Sequence, residues 1–423
     1  MRVSILTVGS RGDVQPLVAL GAGLREAGHE VRVATHPRFA SLVARHNLAF
    51  APLAEGRVSQ GADTEEGRRW IETGSRRLPA AVGLLRDARS VARERLADAA
   101  RACEDAETIV AANLAIVLGW QVAGLRGVPL VRAFIGPPLW MMGRRSRRRL
   151  APIVRQAGWL AARPWLNAVR RDALGAGPLG LREPLADLDR RREPALLAFS
   201  AAVLSPPPGL GEWFEVTGFW FLDGTGDPAP PEVLRDFLAA GPPPVAIGFG
   251  TMIEGSAAAT ISLVSEALEQ AGRRGVLTGT AEHPGGQRLA PHLCAVGSID
   301  HTWLFAQCAA AVHHGAVGTT AATLSAGIPV VAVPHMTDQF TWARRVHELG
   351  VGPPPIRRSE LTAARLAEAI RLATDDERMR QRAAVLGERI RQEDGVARAV
   401  ETFDRRVPVH RRPVPLSAET PVP

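Results

Sequence analysis

The stretch from His313 to Gln339, HHGAVGTTAATLSAGIPVVAVPHMTDQ, holds the densest set of residues able to do chemistry. A buried strand ends at His313-His314, Gly315 turns the chain, and a helix is expected to open near Gly318, Thr319 and Thr320. A helix N-terminus that follows glycine offers unpaired N–H groups and partial positive charge, which suits a phosphate. His314 adds an imidazole donor beside that anion, whereas His313 reads as a residue packed in the sheet. Asp338 and Gln339 follow the next strand after one short turn, so they emerge at the same carboxyl edge, where such folds hold ligands. One βαβ unit could hold a diphosphate and a polyhydroxylated group together, which is the outline of a nucleotide-sugar site.

A second candidate lies near the start. The turn Gly9-Ser10-Arg11-Gly12-Asp13 is not G-x-G-x-x-G, and Thr35-His36-Pro37 stands where a ribose-binding acid would close the second strand. An NAD enzyme is therefore disfavoured. Asp13 has two compatible readings: a cap for a helix starting at Gln15 or Pro16, and a base facing a cleft. Asn113, at the end of the fourth strand, is expected near Asp13; its favoured reading is an ordinary strand-end Asx turn, with orientation of Asp13 or of the acceptor as the alternative.

The elements that must position these residues alternate along the chain. Val3–Val8 predicts a strand, and Gln15–Ala27 a helix with Leu17, Leu20 and Leu24 on one face and Gly28 at its end. Strands at Glu30–Thr35, Leu48–Leu53, Thr108–Ala112 and Leu130–Phe134 follow, and a second alternating set begins at Pro244–Gly250. The fold class is α/β: two Rossmann-like, doubly wound parallel sheets with an inter-domain cleft. The expected division is an acceptor-binding domain at 1–222, a Gly/Pro-rich linker at 223–232 and a nucleotide-sugar-binding domain at 233–395. A helix at 396–404 returns to the first domain, and a Pro-rich disordered tail fills 405–423.

Composition narrows the classes. All 51 Lys+Arg residues are arginine, which reads as codon bias, so the net charge of +8 is not taken as a nucleic-acid footprint. Cys103, Cys294 and Cys308 have no metal-ligand spacing, and no Asp-x-Asp run suggests a metal cage, so neither metal nor cofactor is expected. No apolar run reaches about 18 residues, and the N-terminus reads as a strand, not a signal, which predicts a cytoplasmic chain, monomeric or weakly dimeric. The helical segment Pro137–Arg192 is Arg-rich. Its favoured reading is a helix with solvated arginines whose apolar residues, Trp140 and Met141 among them, line an acceptor pocket. A peripheral contact with anionic lipid is the disfavoured alternative.

GSRGDVQPLVALG at 9–21, GPPPVAIGFGTM at 241–252, HTWLF at 301–305 and HHGAVGTT…GIPVVAVP…TDQ at 313–339 together resemble the bacterial GT-B fold glycosyltransferases of the UDP/dTDP-sugar-dependent family 1 type. The likeness is to the branch holding antibiotic glycosyltransferases and sterol glucosyltransferase relatives, and it covers roughly residues 1–405. It implies an inverting, metal-independent transfer of a hexose or deoxyhexose to a hydroxyl of an apolar acceptor such as a polyketide aglycone. Asp13 would be the base. Thr251, His314, Gly318 and Thr319 would hold the pyrophosphate, Asp338 and Gln339 the sugar, and the Val296–His301 segment, with Ser298 and Ile299, the nucleoside. Ala316 and Val317 depart from the family's usual Gly-Ala, so a need for φ > 0 at 316 would mean strain. A sterol or lipid glucosyltransferase at a membrane surface, or an inactive nucleotide-sugar-binding helper, are the alternatives.

Overall fold

The computed structural model describes residues 1–56, 78–138, 145–206, 209–222, 229–249, 257–280, 283–335 and 338–407. The chain forms two compact units, one of residues 1–201, 206–223 and 394–423, the other of residues 202–205 and 224–393.

In the first unit the strands are β1 (Arg2–Leu6), β2 (Glu30–Thr35), β3 (Ala49–Pro52), β4 (Thr108–Ala112), β5 (Leu130–Phe134), β6 (Ala195–Leu197) and β7 (Phe214–Val216). They pair in parallel in the order β3-β2-β1-β4-β5-β6-β7, with Ile5 beside Val33 and Val110. β4 and β5 are buried along their whole length, as expected for a parallel sheet covered on both faces. The order reverses between β1 and β4. The chain leaves β1 toward β2 through the helix Arg11–Glu26, and leaves β4 toward β5 through Ile116–Arg126, on the other side. Divergent connections of this kind open a crevice at the strands' carboxyl ends. The helix Gly395–Arg406 also belongs to this unit and runs two residues past the expected 404. Its Phe403 is fully buried, and Val396 lies so near Gly23 that a Cβ there would come within 2.6 Å of it.

The second unit holds β8 (Val245–Gly248), β9 (Gly275–Leu277), β10 (Gln287–Ala290), β11 (Leu293–Ala295), β12 (Ala310–His313) and β13 (Val330–Ala332). Their order is β10-β11-β9-β8-β12-β13, with its switch point between β8 and β12. Val245, Ile247, Val312 and Val331 pack on Leu366 and Ile370 on one face, while Ala246, Val276 and Ala311 pack with Phe237 and Phe305 on the other. β10 is antiparallel to β11, so this sheet is mixed at one edge. Its exposed, charged QRLA sequence gave no apolar run from which to foresee a strand.

The helix Arg145–Leu174 turns three of its arginines toward its own unit. Arg155, Arg163 and Arg170 turn inward, where Arg163 donates to Leu179 O at 2.8 Å, Arg170 to Gly177 O at 2.9 Å, and Arg155 pairs with Glu183 at 3.6 Å. The Gly-rich loop 175–183 has carbonyls that neither helix nor sheet satisfies, and a guanidinium with five donors meets them. Ile153 and Val154 face outward instead, each 66% exposed. Arg155, Arg163 and Arg170 are thus not on the solvated face of this helix, whereas Arg171 and, beyond the helix, Arg190 are exposed, and the side chains of Arg145, Arg147, Arg148 and Arg149 lie outside the described residues.

Candidate active site

The crevice between β1 and β4 holds Asp13 and Asn113. The helix after β1 starts at Arg11, a turn earlier than Pro16 suggested, with Ser10 as its N-cap. Asp13 sits at N3 and closes a capping box, its Oδ2 accepting from Ser10 N–H and Ser10 Oγ, both at 2.9 Å. These bonds satisfy the helix start before Pro16 is reached, and Pro16, with its fixed φ, continues the helix. The other carboxylate oxygen, Oδ1, accepts from Asn113 Nδ2 at 3.3 Å.

Asn113 has φ 44, in the left-handed region that asparagine tolerates better than most side chains. Its Oδ1 accepts from Ile135 N–H at 3.3 Å, so one side chain ties the ends of β4 and β5 to Asp13. Gly9 is needed for the same geometry. Its φ is +130, and a Cβ there would lie 2.4 Å from Asp13 Oδ2. Gly9 N–H donates to His36 Nε2 at 3.2 Å, which requires that nitrogen to be unprotonated. Burial first, and then the charge of Arg95, push His36 down to about 4, so it stays a neutral acceptor. Sequence reasoning left Ser10 out and gave His36 no role. The Ser-x-x-acid spacing of a capping box was the available signal for Ser10; His36 reaches Gly9 only through the pairing of β1 with β2.

At the β8–β12 switch point of the second unit, the glycine turn is carried by Gly315, whose φ is +84. Ala316 has φ −61 and ψ 143, so the departure from the family pattern at 316 carries no strain. The helix begins at Val317, one residue before its expected start, and its N-cap Ala316 makes no side-chain cap. The first-turn N–H groups of Val317, Gly318 and Thr319 have no intrahelical acceptor, and a Cβ at Gly318 would meet nothing within 4 Å.

His313 is buried, and its Nδ1 accepts from Gly315 N–H at 3.0 Å, a structural role as expected. Burial, aided by His314 and His301, holds its pKa well below the ordinary value. His314 is half-buried and lies 6.5 Å from the His335 ring, centroid to centroid. Burial lowers its pKa, while the Gly248 backbone and the Asp338 carboxylate pull the other way. Its lowered pKa leaves His314 a neutral imidazole with a single ring N–H, close enough to Asp338 to feel its charge. Gln339 is buried, and its Oε1 accepts from His335 N–H at 2.8 Å. That bond joins the strap after β13 to the start of the helix Gln339–Glu348.

Residues 3–116 match the glycosyltransferase family 28 N-terminal domain, and residues 275–397 the erythromycin biosynthesis protein CIII-like C-terminal domain. The chain is 34% identical to a sterol 3-beta-glucosyltransferase of Emericella nidulans over 96% of its own length and 30% of that protein's. For a Cryptococcus neoformans sterol 3-beta-glucosyltransferase the figures are 33%, 96% and 27%. The chain therefore spans about 30% of the length of the curated relatives it matches. Among solved structures, a calicheamicin glycosyltransferase superposes with TM-score 0.71 at 20% identity, covering 96% of this chain and 99% of that one. The glycosyltransferase VinC in complex with dTDP does so with TM-score 0.67 at 19% identity, with the same coverage. The chain belongs to the GT-B glycosyltransferases.

The candidate ligand groups lie at strand ends. Within the second unit His314, Gly315, Asp338 and Gln339 come together; a Cβ on Gly315 would lie 3.1 Å from Gln339 O. Of the two nucleoside candidates, Ser298 is exposed, but the Ile299 side chain is buried among Phe305, Cys308 and Leu304. Ile299 can therefore offer a nucleoside only its backbone. Asp300 is occupied as the N-cap of His301–Phe305, accepting from Thr302 N–H at 2.7 Å. Thr251, Trp140 and Met141 lie outside the described residues. Among the described residues no three His, Cys, Asp or Glu side chains converge as a metal site, and no helix is long and apolar enough to cross a membrane.

Proposed function

We propose that this GT-B chain transfers a hexose or deoxyhexose from a UDP- or dTDP-sugar to a hydroxyl of a large apolar acceptor, with inversion and without a resident metal. The acceptor oxygen attacks the anomeric carbon as the bond to the diphosphate breaks. The acceptor proton passes to Asp13, and the nucleoside diphosphate leaves with the electron pair. Asp13 is suited to this because its Oδ2 is fixed by Ser10, which leaves Oδ1, held only by the longer bond from Asn113, to receive the proton. Charge growing on the leaving diphosphate is met by preorganised donors, the helix start at Val317–Thr319 and the neutral His314. Asp338 and Gln339 grip the sugar.

The observation that carries this reading is the helix start at Val317 beside His314, whose N-cap residue, Ala316, makes no side-chain cap. The sterol 3-beta-glucosyltransferase relatives favour a second, narrower reading in which the acceptor is a 3β-hydroxysterol. The test is incubation of the full chain with UDP- and dTDP-hexoses and either a sterol or a polyketide aglycone. Products are identified by mass spectrometry and the anomeric configuration by NMR. Tight nucleotide binding with no transfer to any acceptor would replace the enzyme reading by that of a binding helper.

A further inference from the structure

The outward face of the helix Arg145–Leu174 has the reverse of the usual polarity for a surface helix. At about 100° per residue, Ile153, Val154, Ala157, Leu160, Ala161 and Trp165 fall within an arc of about 140°. Ile153 and Val154 are 66% exposed, Leu160 46% and Trp165 37%, and Leu181, on the loop the arginines hold, is 55% exposed. The opposite face buries Trp159, whose Nε1 donates to Gly180 O at 3.2 Å and whose ring meets Trp120 edge-on at 5.7 Å. Arg155, Arg163 and Arg170 fall on that same inward face, where they meet Glu183, Leu179 and Gly177, and from Ile153 onward the outward arc meets charge only past Trp165, at Arg171 and Asp172. A soluble surface rarely leaves so long a stripe uncovered without a partner.

We propose that this face docks the chain on an anionic lipid bilayer as a peripheral, in-plane helix. Charge favours lipid over a protein partner: the sequence of the helix opens on Arg145, Arg147, Arg148 and Arg149 and carries one acidic residue, Asp172. An apolar stripe plus a cluster of arginines are the two signals that interfacial attachment needs together, the first entering the headgroup boundary and the second attracting anionic lipid. Trp165 has the amphipathic ring suited to that boundary. Docking does not depend on the proposed transfer reaction, since neither donor nor acceptor takes part.

The test is co-sedimentation of the full chain with phosphatidylcholine vesicles, with and without phosphatidylglycerol. Wild type is expected to pellet with the phosphatidylglycerol vesicles and to be released by salt. The pair Ile153→Glu/Val154→Glu, exposed and so compatible with folding, is expected to bind these vesicles at least about tenfold more weakly. Neutralising Arg145, Arg147, Arg148 and Arg149 to Gln is expected to abolish the preference for phosphatidylglycerol. Circular dichroism and nucleotide binding check that each variant is folded. Wild type left in the supernatant, or a Glu pair that pellets like wild type, overturns the proposal. A concentration-dependent dimer that the Glu pair dissolves, without vesicle binding, overturns it in favour of self-association.

Discussion

Replacing Asp13 separates its two jobs, since the same carboxylate closes a helix cap and stands as the proposed base. In Asp13→Asn the amide oxygen can still accept from Ser10 N–H, so the helix start at Arg11 survives while the proton acceptor is lost. Loss of a positioned general base lowers kcat by about a hundred- to ten-thousandfold. Donor KM should stay near wild type, because the phosphate and sugar groups belong to the second unit. In Asp13→Ala all three accepted bonds go, two from Ser10 and one from Asn113. Loss of such a cap costs about 0.5–2 kcal/mol, and for a unit of this size each kcal/mol lowers the melting midpoint by roughly 2–4 °C. The expected pattern is therefore a similar loss of kcat in both variants, with a clear fall in thermal midpoint mainly in the alanine. The assay is nucleoside diphosphate release at saturating donor and acceptor, paired with calorimetry. A folded Asp13→Asn enzyme turning over within about threefold of wild type would refute the base assignment.

Three further outcomes follow from the same geometry. His314→Ala removes a donor to a charged phosphate, so the Kd for UDP or dTDP should rise by roughly ten- to a hundredfold by titration calorimetry, and kcat should fall with it; an unchanged Kd would sink the pyrophosphate role. His36 is held down to about 4 from its ordinary 6.5, so between those values the unfolded chain binds the extra proton. Its share of stability is complete above about 6.5 and is lost as pH falls toward 4. His313 and His314 act in the same direction, so the contribution of His36 is the difference in the pH slope of the melting midpoint between wild type and His36→Gln; coincident slopes would count against it. Gly9→Ala places a Cβ 2.4 Å from Asp13 Oδ2 at a φ of +130, and should cost about 1–3 kcal/mol and lower kcat together; full activity would mean that the turn is not what positions Asp13.

Much of this was legible in the chain. Alternating β-branched runs and helices announced two largely parallel sheets, because a strand buried on both faces is mostly apolar; β4 and β5 are buried throughout, with Arg132 of β5 the charged exception, paired with Asp189. The glycine at 315 marked the turn and the helix start that follow the buried strand, since a tight turn there needs the positive φ that Gly315 adopts. Local sequence could not give what depends on residues far apart in the chain. His36 reaches Gly9, and Asn113 reaches Asp13, only because β1 lies between β2 and β4. Periodicity marked an amphipathic, Arg-rich helix at 145–174 but not which side faces out. The loop 175–183 needed donors for its carbonyls, and that demand, set by tertiary packing, is met by Arg163 and Arg170, while Ile153 and Val154 lie exposed. Sequence alone therefore determined the elements and the chemistry offered at their ends. Only the tertiary structure decided which side chains meet and which faces are left uncovered, because burial and hydrogen-bond satisfaction are properties of the assembled chain.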